Sequence, residues 1–178
     1  MAERLFFTSD THFGDPRVLR FDHRPFADLA DHDAALITRW NAVVGPQDVI
    51  WHLGDFALGP GPARVAEILG QLHGEKHLIV GNNDDDTTIR LPGWRSVGHY
   101  AELAIDGRRL VLCHYAFRTW NGIGRGAINL HGHSHGKLGR LPKQYDVGVD
   151  AQEFRPVTLA EILNSRRRRT GAGAAAPS

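Results

Sequence analysis

At 178 residues, 42% apolar and 23% charged, the chain is long enough for one domain with a sizeable core. Lysine plus arginine number 21 against 20 aspartate plus glutamate, a formal net charge of +1, so no charge excess draws it toward nucleic acid or a membrane surface. The single cysteine, Cys113, excludes an intrachain disulfide and fits a reducing cytoplasm.

"RLFFTS" (4–9) reads as a strand, apolar and followed by a polar turn. Its flank "MAERLFFTSD" lacks the pattern of a signal peptide, and no apolar run approaches a membrane span. Residues 31–44 carry Ala35, Leu36, Trp40 and Val43 at helical spacing. "DVIW" (48–51) is a second strand, "GPARVAEILGQL" (61–72) a helix with proline in its first turn, and "KHLIV" (76–80) a third strand. This alternation predicts parallel pairing with helical crossovers. "HYAELAI" and "RRLVLCH" flank "DG" at 106–107, a hairpin signal. "AINLHGH" and "QYDVGV" add two strands, and "VTLAEILNSRRRR" starts as a helix and ends in a basic run. The domain is expected over residues 1–165, with 166–178 a basic, then low-complexity tail.

Eleven histidines stand out, since histidine is the commonest metal ligand and a frequent acid–base group. Five strands end in polar clusters: Asp10 and His12; His52 and Asp55; Asn82, Asn83 and Asp84; His114; and His131, His133 and His135. Ligands in such folds collect at the carboxyl ends of strands. Residues i and i+2 of an extended segment point the same way, so Asp10 and His12 can converge on one ion. Glycines 54, 81 and 132 each precede a candidate ligand, where the backbone is expected to turn sharply. Carboxylate, imidazole and amide donors without thiolate favour manganese, iron or zinc. The ligands are too many for one tetrahedral ion and suit two divalent ions sharing a carboxylate.

These blocks, "DTH", "GD" at 54–55, "GNND" at 81–84, "CHY" and "GHSH" at 132–135, resemble in order the pattern of the calcineurin-like metallophosphoesterases: DxH, GD, GNH[D/E], a lone H, then GHxH. "FDHRPF", "LGDF" and "LHGHSHG" are similar to the small bacterial and phage members. The resemblance implies an α/β fold, a four-layer α/β/β/α sandwich of two mixed sheets. It implies Asp10, His12 and His135 around a first metal, Asn82, His114 and His133 around a second, and Asp55 bridging both. A bridging hydroxide would then attack phosphorus in line, with Asp55, Asn83 and His114 as the catalytic set.

The family's third block usually holds histidine where this chain has Asn83. That histidine is thought to assist the leaving group, and an amide has no proton to give at neutral pH. Some relatives carry cysteine there and resemble phosphodiesterases in activity. The expectation is therefore a cytoplasmic phosphodiesterase acting on a small phosphate ester, nucleotide-derived ones included. The alternatives are a metal-supported scaffold, a monoesterase or a nuclease.

Other residues keep two readings. His23 and Arg24 contact substrate phosphate or belong to a surface loop, and Arg118 or Asn121 covers the site or lies on the surface. His52 and His131 support ligands or are structural. His32, His73, His77 and His99 lie outside any block. Asp84 orients a ligand, while Asp85 and Asp86 open a helix. Cys113 is a small buried hydrophobe. The arginines at 166–169 touch nucleic acid or, as favoured here, end a helix in solvent.

Overall fold

The first strand, β1 (Leu5–Thr8), sends Phe6 and Phe7 into different cores. Successive side chains of a strand point to opposite faces, so one short apolar run joins two layers. The computed structural model describes residues 3–139 and 141–164. The helices α1 (Arg17–Phe21) and α2 (Leu29–Val43) follow β1, then β2 (Val49–His52), α3 (Pro62–Gln71) and β3 (Glu75–Ile79). Next come α4 (Asp86–Ile89) and β4 (Trp94–Gly98). β1 to β4 pair in parallel, and β9 (Val157–Thr158) adds antiparallel to β1, giving the order β4-β3-β2-β1-β9.

Phe6, Ile50 and Leu78 pack against Leu36 and Trp40 of α2 and Val65, Ile68 and Leu69 of α3. Asp28 caps α2 by accepting from the Asp31 amide, and α3 opens with Pro62. Asp85 caps α4 through Thr88 N, as the sequence suggested.

The second sheet runs β5 (Ala101–Ile105), β6 (Arg108–Leu112), β7 (Ile128–His131) and β8 (Gln144–Asp146), in that spatial order. β5 and β6 are antiparallel and the other pairs parallel. At their turn Asp106 and Gly107 both have positive φ, 50° and 72°, as the expected two-residue hairpin requires. Phe7 and Ile79 of the first sheet, with Leu53 just after β2, meet Leu110, Leu112, Ile128 and Leu130 of the second. The sandwich of two mixed sheets with flanking helices thus holds. Its fourth layer is slight: Val111 on the outer face of β6 is covered by Trp120 and Ala127, from a segment with one 3-10 turn, Ile123–Arg125.

Two elements differ from expectation. β4 forms where the sequence showed no strand, and Val157–Thr158 is a strand where a helix was expected to start. The helix begins at residue 159, because Thr158 closes a capping box: its backbone N and Oγ1 donate to Glu161 Oε2, both at 2.8 Å, and Glu161 N donates back to Oγ1 at 3.3 Å. The arginine run and the tail lie outside the described residues.

Candidate metal centre

The loops after β1, β2, β3, β6 and β7 meet at one edge of the sandwich. Asp10, His12 and His135 offer ligand atoms within 4.8 Å of one another, and so do Asp55, His114 and His133. Asn82 joins the second group, its Oδ1 lying 3.0 Å from His114 Nε2. One carboxylate faces both groups. Asp55 Oδ2 is 3.5 Å from His12 Nε2, and its Oδ1 is 3.6 Å from His114 Nε2. Every residue the family resemblance named as a ligand is gathered here.

The rings are aimed from behind. His114 Nδ1 donates to the Leu53 carbonyl at 2.7 Å; a carbonyl only accepts, so Nε2 keeps its lone pair for the site. His12 Nδ1 is 3.2 Å from Asp15 Oδ2, and His135 Nδ1 is 2.8 Å from Asp150 Oδ2. Arg17 grips Asp15 through Nε and a terminal nitrogen, both at 2.9 Å to one oxygen each. Asp15 and Asp150 escaped the sequence reading. The only signal for Asp15 was its place three residues after His12 in "DTHFGD", and Asp150 carried none.

Asn83 does not stand free. Its Nδ2 donates to Asp55 Oδ2 at 2.7 Å, and its backbone N to Asp55 Oδ1 at 2.9 Å. Asp84 staples two loops together. Its carboxylate accepts from Asp55 N, Phe56 N and Gly81 N, each at 2.8 Å, so the expected orienting role is exerted on the backbone around Asp55.

Five of the gathered residues, Asp10, His12, Asp55, His133 and His135, have φ between 47° and 64°. Each left-handed non-glycine residue costs about 1 kcal/mol or more, so the loops hold strain that surrounding contacts must offset. The glycines were expected to serve sharp turns, and that reading is corrected at two of three positions. Gly54 does have φ +97°, but Gly81 and Gly132 are not left-handed. They are glycine for want of room. A Cβ at Gly81 would run into the Asp55 carboxylate, and one at Gly132 into Ser9 Oγ and Asp10 Oδ2.

Burial raises the Asp10 carboxyl well above its ordinary value, and Asp146 and Asp55 add to this against His135. Burial also pushes Asp55 upward, but His114 and the two Asn83 bonds outweigh it and leave its pKa below the ordinary value. Burial lowers His114, which favours the neutral ligand form. Nε2 of His12 is buried and has no hydrogen-bond partner. An orphaned imidazole nitrogen facing a carboxylate among mixed oxygen and nitrogen donors is what a divalent cation would satisfy, so the residues fit such ions.

The remaining candidates divide. His52 Nε2 lies 2.9 Å from Thr11 Oγ1, so it braces the loop between Asp10 and His12. Burial pushes its pKa down to about 3. His131 Nδ1 donates to the Gly132 carbonyl at 2.9 Å. His23 and Arg118 are exposed and are not among the gathered groups. Asn121 is turned to Glu102, 2.9 Å away. Arg24 is corrected. Its side chain is 0% exposed, and all five N–H donors are taken by protein atoms, leaving none for a substrate phosphate. Cys113 is buried, which raises its thiol pKa, in keeping with an inert role.

Convergent carboxylate, imidazole and amide donors at strand ends make this a candidate metal centre of mixed oxygen and nitrogen donors. Residues 4–144 match the calcineurin-like phosphoesterase superfamily domain, and the chain belongs to that superfamily. It is 29% identical over 168 residues to uncharacterized protein MJ1445 of Methanocaldococcus jannaschii, covering 90% of this chain and 89% of that one. It is 32% identical over 179 residues to the Gene 66 protein of Mycobacterium phage D29, covering 83% and 88%. Its fold is like that of the crystal structure of AQ665, a protein of unknown function from Aquifex aeolicus, with TM-score 0.73, 22% identity and coverage of 92% and 99%. Among the described residues no helix is long and apolar enough to cross a membrane.

Proposed function

We propose that the protein is a binuclear metal-dependent phosphodiesterase that hydrolyses a small phosphate ester, nucleotide-derived ones included, in a reducing cytoplasm. The observation that carries this is the single carboxylate, Asp55, with one oxygen toward each ligand group. Asp10, His12 and His135 would hold one ion, and Asn82, His114 and His133 the other; manganese, iron and zinc all suit these donors. When bound, such a pair supplies an activated water and neutralises charge on the attacking and leaving oxygens.

The chain's own part is positioning. Asn83 fixes the orientation of Asp55, while Asp15, Asp150 and the Leu53 carbonyl set which imidazole nitrogen faces inward. Asn83 cannot protonate a leaving group, and its amide is engaged with Asp55. That supports diesters with leaving groups able to depart without a full proton over monoesters of poor ones. Purified protein should hydrolyse bis(p-nitrophenyl) phosphate when manganese is added, and metal analysis with a panel of diesters and monoesters defines the rest. No metal-dependent turnover on any activated diester would sink the reading.

Asn83→His tests the leaving-group argument. It adds an acid but removes the amide that anchors Asp55, so the rate on activated diesters should fall by roughly 10–100-fold. Esters with poor leaving groups should lose less, or gain, because general acid help is worth about 10²–10⁴-fold. Equal changes in kcat/KM on both substrate types would mean that position 83 does not face the leaving group.

A further inference from the structure

We propose that Arg24 is the positioning residue of one metal site, that of Asp10, His12 and His135, which it clamps from behind without touching an ion or substrate. This rests on the binuclear reading above.

Arg24 spans the two ends of that site. Its Nε and one terminal nitrogen grip Asp150 in a fork, at 2.9 and 2.7 Å, and Asp150 orients His135. The same terminal nitrogen donates to the Asp10 carbonyl at 2.6 Å, and the other to the Thr11 carbonyl at 2.9 Å. Those carbonyls lie in the "DTH" loop, where Asp10 and His12 are both left-handed. One guanidinium therefore fixes two strained ligands at one end and the third ligand's partner at the other. Its fifth donor goes to His32 Nε2 at 2.9 Å, so His32 accepts there and presents Nδ1–H to Asp33 Oδ1 at 2.8 Å. Asp33 in turn accepts from Gly14 N at 3.2 Å. The clamp is thereby tied to α2 and to the loop that follows His12.

Arginine suits this position for a reason lysine does not share. A rigid fork of five donors can meet a carboxylate side-on and still reach three other acceptors, whereas an ammonium has three donors around one point. The second group is held by other means. Among the described residues none of Asn82, His114 and Asp55 is hydrogen-bonded to Arg24 or Asp150, and His133 reaches the first group through its backbone N–H, which donates to Asp10. Loss of the clamp should therefore weaken one site selectively.

The test is equilibrium dialysis against Mn²⁺ of wild type, Arg24→Met, Asp150→Asn, and each variant combined with His114→Ala. At a free Mn²⁺ that fills two sites in the wild type, Arg24→Met should hold one ion and show the uncoupled electron paramagnetic resonance signal of isolated Mn²⁺. Adding His114→Ala should remove that ion too. Asp150→Asn, which keeps the shape and the arginine, should bind at the same site roughly 10–100-fold more weakly, and it carries the test if Arg24→Met fails to fold. Wild type with fewer than two ions would sink the binuclear reading and this inference with it. Wild type with two ions, and both variants with two held as tightly, would overturn the role of Arg24 alone. Equal weakening of both sites would also overturn it, since that is what general loosening of the fold does.

Discussion

Asp55→Asn should lower metal-dependent diester hydrolysis by roughly 10³-fold or more in kcat/KM, beyond the 10–100-fold that loss of a supporting partner costs. The substitution keeps the shape and takes away a charge and an acceptor at the one point shared by both ligand groups. Asp55 is 2% exposed, and both its oxygens accept from Asn83, an arrangement suited to a carboxylate. An asparagine there turns an N–H against the Asn83 amide or against an ion, and neither is tolerated. Both ions should bind more weakly in dialysis, and the metal-free protein should also lose about 1–3 kcal/mol of stability, because either amide orientation sets a buried N–H against an Asn83 donor. A variant that turns over within tenfold of wild type would mean that Asp55 does not bridge.

How much of this was legible follows from where the information lies along the chain. β1, β2 and β3 are short apolar runs closed by polar residues, and the hairpin carries its own turn residues, so local sequence suffices for them. β4 reads Trp94-Arg-Ser-Val-Gly98, with only Trp94 buried and three of its residues exposed; an exposed edge strand has no alternation to detect. β9 is two residues long and paired to β1, so the helical pattern that starts beside it hid it. At the site, the candidate ligands were legible because each closes a strand within a short motif. Their supports were not: Arg24 and Asp150 are 126 residues apart, and only the fold brings them together. The same limit left Arg24 between the substrate and a surface loop, since an arginine in a loop reads as exposed until its carbonyl partners are known. Asn83 looked like a missing acid. The structure adds what it does instead, which is to hold Asp55.

Gly81→Ala should cost as much activity as loss of a ligand, although it removes no functional group. The added methyl would collide with the Asp55 carboxylate and lie 2.6 Å from the Asp55 backbone nitrogen. Neither side can yield cheaply. Asp84 holds both backbones, accepting from Gly81 N and from Asp55 N at 2.8 Å. Behind them, a Cβ placed on Gly54 would be 2.7 Å from Gly81 Cα, so the two loops already cross at glycine-only distance. Overpacking of this kind costs about 1–3 kcal/mol, a fall in Tm of roughly 2–12 °C. The methyl must also push the carboxylate off its line to the two ligand groups, so kcat/KM should drop by roughly 10²-fold or more, as when a key preorganised group is lost. Gly70→Ala is the matched control. Gly70 is exposed on α3 with nothing within 4 Å of its added Cβ, and alanine there should stabilise the helix by roughly 0.5–1 kcal/mol and leave the rate alone. Wild-type turnover in Gly81→Ala would show that the loop after β3 can retreat from Asp55, and that the carboxylate is not held by the crossing of the two glycines.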